Sequence, residues 1–141
     1  MKRIIAIDYG DARTGVAVSD LTGTLAGEAL TIQEWNAEKL AQRLAFFARE
    51  RDAEKFVLGL PKNMDGTEGE RARTVRTFVS LLSELTSLPV ELSDERMTTM
   101  AAYRYLGATE TYGKRRREAV DTLSAEIILQ DYIDAERRKK S

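Results

Sequence analysis

The sequence has no cysteine, no histidine and only two prolines among its 141 residues. Without cysteine there can be no disulfide, no thiolate nucleophile and no cysteine-ligated zinc, and nothing in the composition points to secretion. The missing histidine removes the usual general base near neutral pH and the commonest metal ligand, so Ser-His-Asp triads and His-zinc sites are excluded. Catalysis by this chain would have to rest on carboxylates, lysine, hydroxyls or tyrosine, and carboxylates favour hard cations such as Mg2+ or Mn2+. Elimination alone leaves a non-enzymatic role open. No stretch approaches the roughly 20 consecutive apolar residues of a membrane span. The opening MKRIIAID runs into a strand pattern instead of a signal peptide, so a cytoplasmic protein without a membrane partner is expected.

A length of 141 residues with 43% hydrophobic content suits one domain, 1–141, around one core. The formal net charge is −1, from 22 basic and 23 acidic residues, so no overall field draws an anionic polymer. Positive charge is local. Lys114, Arg115, Arg116 and Arg117 form one run and Arg137, Arg138, Lys139 and Lys140 another, while Arg71, Arg73 and Arg76 are offset by Glu68 and Glu70. The C-terminal run reads as a solvated tail.

Arg3 to Asp8 (RIIAID) reads as a buried strand whose last residue emerges at its carboxyl end. Tyr9 to Gly15 reads as a tight turn, Val16 to Ser19 as a second strand and Leu25 to Ile32 as a third, with connections short enough for an antiparallel meander. Asn36 can cap a helix in which Leu40, Leu44 and Phe47 recur, ending near Asp52. Phe56 to Leu60 reads as a strand stopped by Pro61. After the loop Lys62 to Gly69, a helix from about Glu70 to Ser87 carries Ala72, Val75, Val79, Leu82 and Leu85 on one stripe, with Phe78 beside it. Pro89 to Leu92 is the fifth strand, followed by Asp94, Glu95 and Arg96. Thr98 to Leu106 reads as a short helix closed by Gly107, Ala108 to Lys114 as a mobile loop, and about Arg116 to Arg138 as a final helix carrying Val120, Leu123, Ile127 and Ile128. A meander followed by right-handed crossovers predicts an α/β fold, a mixed five-stranded sheet with helices on both faces.

Ligands of open α/β sheets gather outside the carboxyl ends of the strands. Asp8 ends the first strand, and Asp94 and Glu95 follow the fifth. If those two strands flank the fourth, their acids share a crevice. Asp121 is the best candidate for a third acid, because Ser124, Ala125 and Ile128 at i+3, i+4 and i+7 give its helix face a small, apolar character. Three converging carboxylates repel one another unless cations intervene, which is the logic of two-metal phosphodiester cleavage, with ions roughly 3.5–4 Å apart. Each acid also has an ordinary alternative: Asp8 as a turn former, Asp94 or Glu95 as a helix initiator, Asp121 as a surface acid. The segment Gly59 to Gly69 leaves a strand and enters a helix N-terminus, where backbone N–H groups can receive a phosphate.

Four segments, DYGDARTGVAVSD (Asp8 to Asp20), GLPKNMDGTEG (Gly59 to Gly69), DERMTT (Asp94 to Thr99) and DTLSAEIILQDYI (Asp121 to Ile133), together resemble the YqgF family. These are bacterial RuvC-like proteins of the ribonuclease-H-like fold, described as Holliday junction resolvases and as nucleases of the ribosomal RNA precursor. The resemblance implies a three-layer fold with strand order 3-2-1-4-5, strand 2 antiparallel to the rest. It implies that Asp8, Glu95 and Asp121 are the catalytic, metal-binding acids, holding two ions of Mg2+ or Mn2+ in the family's manner. It also implies that the Lys62–Asn63 loop and Arg96 touch substrate; Thr98 and Thr99 serve equally well as helix caps. Ser124 stands where the family often has alanine. Lys114 to Arg117 are expected to contact phosphates.

Three activities remain open at this point. One is a nuclease of RNA, acting on the 16S ribosomal RNA precursor with the small ribosomal subunit as a partner. A second is a resolvase of branched DNA, which would work as a homodimer. A third is a non-catalytic ribosome or nucleic-acid binding module. The first motif also resembles the phosphate loop of actin-like ATPases, but those need two such domains and 141 residues cannot supply them.

Overall fold

The computed structural model describes residues 3–20, 22, 26–96 and 114–140, with the side chains at 95, 96, 114–121 and 140 outside the description. The chain runs β1 (Arg3–Asp8), β2 (Arg13–Ser19), β3 (Ala26–Gln33), α1 (Ala37–Glu50), β4 (Ala53–Lys62), α2 (Glu70–Thr86), β5 (Val90–Arg96) and α3 (Lys114–Lys140). The five strands lie in the order β3-β2-β1-β4-β5. β2 is antiparallel to β1 and β3, and β4 is parallel to β1 and β5, so the carboxyl ends of β1, β3, β4 and β5 share one edge. This is the mixed sheet expected.

Strand alternation divides the core in two. Ile5, Ile7, Val16, Val18, Phe56 and Leu58 face α1 and α2, where they meet Leu40, Leu44, Phe78 and Leu82. The opposite parity, Ala6, Ala17 and Val57, meets Ala125, Ile128, Leu129 and Ile133 of α3. Asn36 caps α1 as expected, its side chain accepting from the Lys39 N–H at 3.0 Å. α2 closes on Ser87 in the left-handed region (φ 60°), whose N–H reaches the Ser83 carbonyl.

Several boundaries differ from expectation. β2 begins at Arg13, three residues before Val16. Pro61 does not stop β4, which continues to Lys62. The Phe56 N–H turns toward the β5 side, bonding the Pro89 carbonyl. By alternation the nitrogen at 61 turns toward β1, whose pairing with β4 ends at Leu58, so proline forfeits no ladder bond. On α2 the buried stripe takes Phe78, while Leu85, in the last turn, is 47% exposed. On α3, Leu123 is 38% exposed and Ser124, Ala125, Ile128, Leu129 and Ile133 form the buried face. The helix expected over Thr98 to Leu106, its Gly107 cap, and residues 108–113 of the expected loop lie outside the described residues; Lys114 opens α3. Among the described residues no helix is long and apolar enough to cross a membrane.

Candidate active site at the carboxyl edge of the sheet

Asp8 is the last residue of β1 and lies opposite Gly15 of β2. It has the parity of Ala6 and therefore belongs to the α3 face. Gly15 in turn lies opposite Thr31 of β3. Thr31 and Thr122 share a hydroxyl hydrogen bond at 3.1 Å, which brings the start of the α3 contact level with the row Asp8, Gly15, Thr31. Position 121 adjoins Thr122, one turn before the buried residues Ser124 and Ala125. The sheet and helix thus bring Asp8 and position 121 to the same level of the same face.

β5 runs to Arg96, so Asp94 and Glu95 sit within the strand instead of following it. In register, Leu60 opposes Asp94, Pro61 opposes Glu95 and Lys62 opposes Arg96. Because Val90 and Leu92 pack on the α1/α2 core, alternation assigns position 94 to that face and position 95 to the α3 face, with Asp8. Lys62 follows the parity of Asp94, and its Nζ lies 3.7 Å from the Asp94 carboxylate. Two adjacent acids are therefore separated by the strand: 95 shares a face with Asp8, and Asp94 pairs with Lys62 on the other.

The turn after Asp8 is tightly determined. The Thr14 hydroxyl, fully buried, accepts from the Gly10 N–H at 3.3 Å and reaches the Gly10 carbonyl at 3.4 Å. A Cβ on Gly10 would fall 2.1 Å from the Arg13 carbonyl oxygen, so no other residue fits without reopening the turn. The Tyr9 ring stacks on Phe78 of α2, with centroids 4.3 Å apart and planes at 11°. Arg71 of α2 donates to the Tyr9 carbonyl and, at 3.0 Å, to the Asp11 carboxylate, with its guanidinium 5.2 Å from the Tyr9 ring centroid. Burial raises the Tyr9 hydroxyl above its ordinary pKa, against the opposing pull of Arg71. Sequence inspection placed Arg71 only in an offset basic cluster. Its i, i+7 relation to Phe78 was the available signal that one helix face could hold Tyr9 from two sides.

The Asn63 to Gly69 loop is organised by its own side chains. The Asn63 amide donates to the Thr67 hydroxyl at 2.8 Å, and that hydroxyl and the Thr67 N–H both donate to Asp65. Gly66 takes φ 89°, a left-handed conformation suited to glycine. Glu68 and Arg76 form a bidentate pair, both contacts 2.7 Å, and that hydrogen bonding holds the Glu68 carboxyl below its usual range. Asn63 thus shapes the loop, and Lys62 is engaged with Asp94. Among the described residues no group of three acids is gathered for a metal; the side chains of Glu95, Arg96, Lys114, Arg115, Arg116 and Asp121 lie outside that description. The donor chemistry at this edge, carboxylate oxygen with neither histidine nor cysteine anywhere in the chain, fits a hard divalent cation.

The family described as "RuvX: Holliday junction resolvase" matches residues 2–135. Proteins named "Putative pre-16S rRNA nuclease" include one from Thermoanaerobacter pseudethanolicus, 40% identical over 97% of this chain and 99% of its own length. Another, from Streptococcus mutans, is 43% identical over 94% and 97%. Among solved structures, Thermus thermophilus RuvC in complex with a Holliday junction substrate superposes with a TM-score of 0.59 at 12% identity, over 97% of this chain and 96% of that one. The Fowlpox virus resolvase in its junction DNA complex gives 0.52 at 8% identity, over 94% and 97%. Those two likenesses establish the RuvC-like architecture already visible in the strand order, and the match over residues 2–135 establishes that the chain belongs to the RuvX family.

Proposed function

We propose that the chain is a divalent-metal-dependent nuclease, a single domain over 1–141, that trims the 16S ribosomal RNA precursor in the cytoplasm. The observation that carries the reading is that Asp8, position 95 and position 121 come to the same face at the carboxyl edge of the sheet: the Asp8–Gly15–Thr31 row and the Thr31–Thr122 bond bring Asp8 and position 121 level, and the Pro61–Glu95 register sets position 95 two residues further toward that edge. Asp8, Glu95 and Asp121 are assigned as the acids that hold two cations, Mg2+ or Mn2+. Bound cations would supply Lewis acidity toward an attacking water and a leaving oxygen. The chain's own contribution is positional. Gly10, Thr14, Arg71 and Phe78 fix the turn that carries Asp8, and the Asp94–Lys62 pair keeps the neighbouring acid on the other face. Arg96 and Lys114, Arg115 and Arg116 are assigned to phosphate contact, with Lys62 and Asn63 shaping the adjacent loop. The names of the relatives support the precursor RNA as substrate, and the small ribosomal subunit is assigned as a partner on that reading.

The test uses labelled precursor RNA, linear RNA and four-way DNA junctions, each with Mg2+, Mn2+ or chelator. Cleavage of precursor RNA that requires metal, and that is lost in Asp8→Asn and Asp121→Asn while both variants stay folded, is expected. Unchanged cleavage by both variants sinks the proposal. The family description favours a second reading, junction resolution; paired symmetric nicks in the junction by a homodimer would establish it. Metal-independent nucleic-acid binding that survives both substitutions, with no cleavage of any substrate, would instead identify a binding module.

A further inference from the structure

Trp35 is 82% exposed, an unusual position for the largest apolar side chain and for the chain's only tryptophan. Its backbone is not loose. The preceding Glu34 N–H donates to the Ala12 carbonyl at 2.9 Å, tying this loop to the turn that follows Asp8. On the other side Asn36 caps α1 and its N–H reaches the Glu34 carboxylate at 3.3 Å. Arg43 donates to the Gln33 carbonyl at 3.0 Å and pairs with Glu34. Trp35 is also outside the cleft of about 610 Å³ between β3 and α1, which Phe46 and Phe47 line.

The topology gives this exposure a place. β3 is parallel to β1, so the end of β3 and the end of β1 lie on one edge, two strands apart, about 10 Å across the sheet. Lys39 in the first turn of α1 and Arg13 opposite Gln33 bring cations to the same corner, where Arg43 is paired with Glu34 and Glu38 also stands. A solvent-facing indole on an anchored backbone, beside cations and next to a phosphodiester-cleaving edge, has the features of a base-stacking platform, which single strands engage and duplexes, with bases already stacked, do not.

We infer that Trp35 stacks on an unpaired base flanking the cleaved phosphate of a single-stranded RNA. The inference rests on the nuclease reading above and adds the site that selects unpaired substrate. Because there is one tryptophan, its fluorescence reports on this position alone. The experiment titrates Asp8→Asn protein, in Mg2+, with a single-stranded oligoribonucleotide of about 12 nucleotides, within the usual single-strand site size, and with the same sequence as a duplex. Saturable quenching by the single strand and little by the duplex is expected. Trp35→Ala should bind the labelled single strand roughly 5- to 150-fold more weakly, and Trp35→Phe should retain most of the affinity. In the otherwise unmodified enzyme, Trp35→Ala should raise KM and leave kcat nearly unchanged. No quenching, equal quenching by the duplex, or unaltered affinity in Trp35→Ala overturns the inference. Cleavage unaffected by Asp8→Asn would overturn the nuclease reading instead, while the quenching result still decides the platform.

Discussion

The two faces of the sheet are built from different materials. The α1/α2 face is filled by large side chains, with Phe56, Phe78, Leu40, Leu44 and Leu82 all essentially inaccessible. On the α3 face the strands offer Ala6, Ala17 and Val57, and the helix answers with Ser124 and Ala125 before larger residues follow. Large residues bury more apolar surface and hold the fold; small ones let a helix backbone approach the sheet. The approach is closest in residue size where α3 nears the level of Asp8. One face therefore carries stability, and the other sets the spacing between the sheet's acid and the helix's acid.

That contrast can be broken from the stable side first. Phe56→Ala should cost about 3–5 kcal/mol in a denaturant melt and reduce cleavage only through the fraction unfolded. Ala125→Leu acts on the other face. It should cost about 1–3 kcal/mol by overpacking, yet cleavage measured well below its melting temperature should fall further than the loss of folded protein explains. Equal losses of stability and activity in that variant would mean that helix spacing does not govern the site. Arg71→Ala touches neither core. Its contacts are partly solvent-exposed, so stability should move by less than about 1 kcal/mol. With the Asp8 turn released from α2, kcat should drop on the order of tenfold, and Arg71→Lys should recover part of it.

The smallest effect concerns pH, at the opposite edge. Lys55 donates to Glu91 at 3.1 Å and to the Tyr132 hydroxyl at 2.8 Å, and that hydroxyl donates to Glu91, clipping α3 to β4 and β5. The hydrogen bond from Tyr132, opposed by desolvation and aided by Lys55, holds the Glu91 carboxyl below its ordinary range. A depressed carboxylate contributes stability that is present above the unfolded pKa and is lost as pH falls through the folded one. Stability should thus decline below about pH 4.5, and Glu91→Gln should flatten that decline by a few tenths of a kcal/mol, the scale of an exposed pair. An unaltered acid limb in thermal melts would remove Glu91 from the account.

Much of this arrangement was legible in the residues. Isoleucine-rich RIIAID, the Asn36 cap and the period of α1 fixed their own elements, because each signal is local. The mixed sheet followed from a meander and short crossovers, and its strand order from the resemblance to the YqgF family. What escaped depended on partners far along the chain. Pro61 is tolerated within β4 because β1 has already ended beside it, and Leu85 is exposed because the last turn of α2 passes beyond the large-residue core. Asp94 and Glu95 read as one pair of acids, yet the unexpected length of β5 divides them between two faces. Asp8 was visible as a strand end, whereas the hold of Arg71 on Tyr9 spans 62 positions, and only the i, i+7 spacing of Arg71 and Phe78 within α2 pointed toward it.

The bonds that seat α3 have a consequence for the order of events in biosynthesis. The Ala26 N–H donates to the Gln130 side-chain oxygen, and Thr31 meets Thr122, contacts separated by 104 and 91 positions. β1, β2 and β3 leave the ribosome long before the helix that covers their alanine face. Closing such distant contacts is slow relative to forming local ones, so the nascent sheet must wait with that face uncovered. That edge is consequently among the last parts assembled, and a growing chain with Asp8 already in place still lacks the helix that carries Asp121.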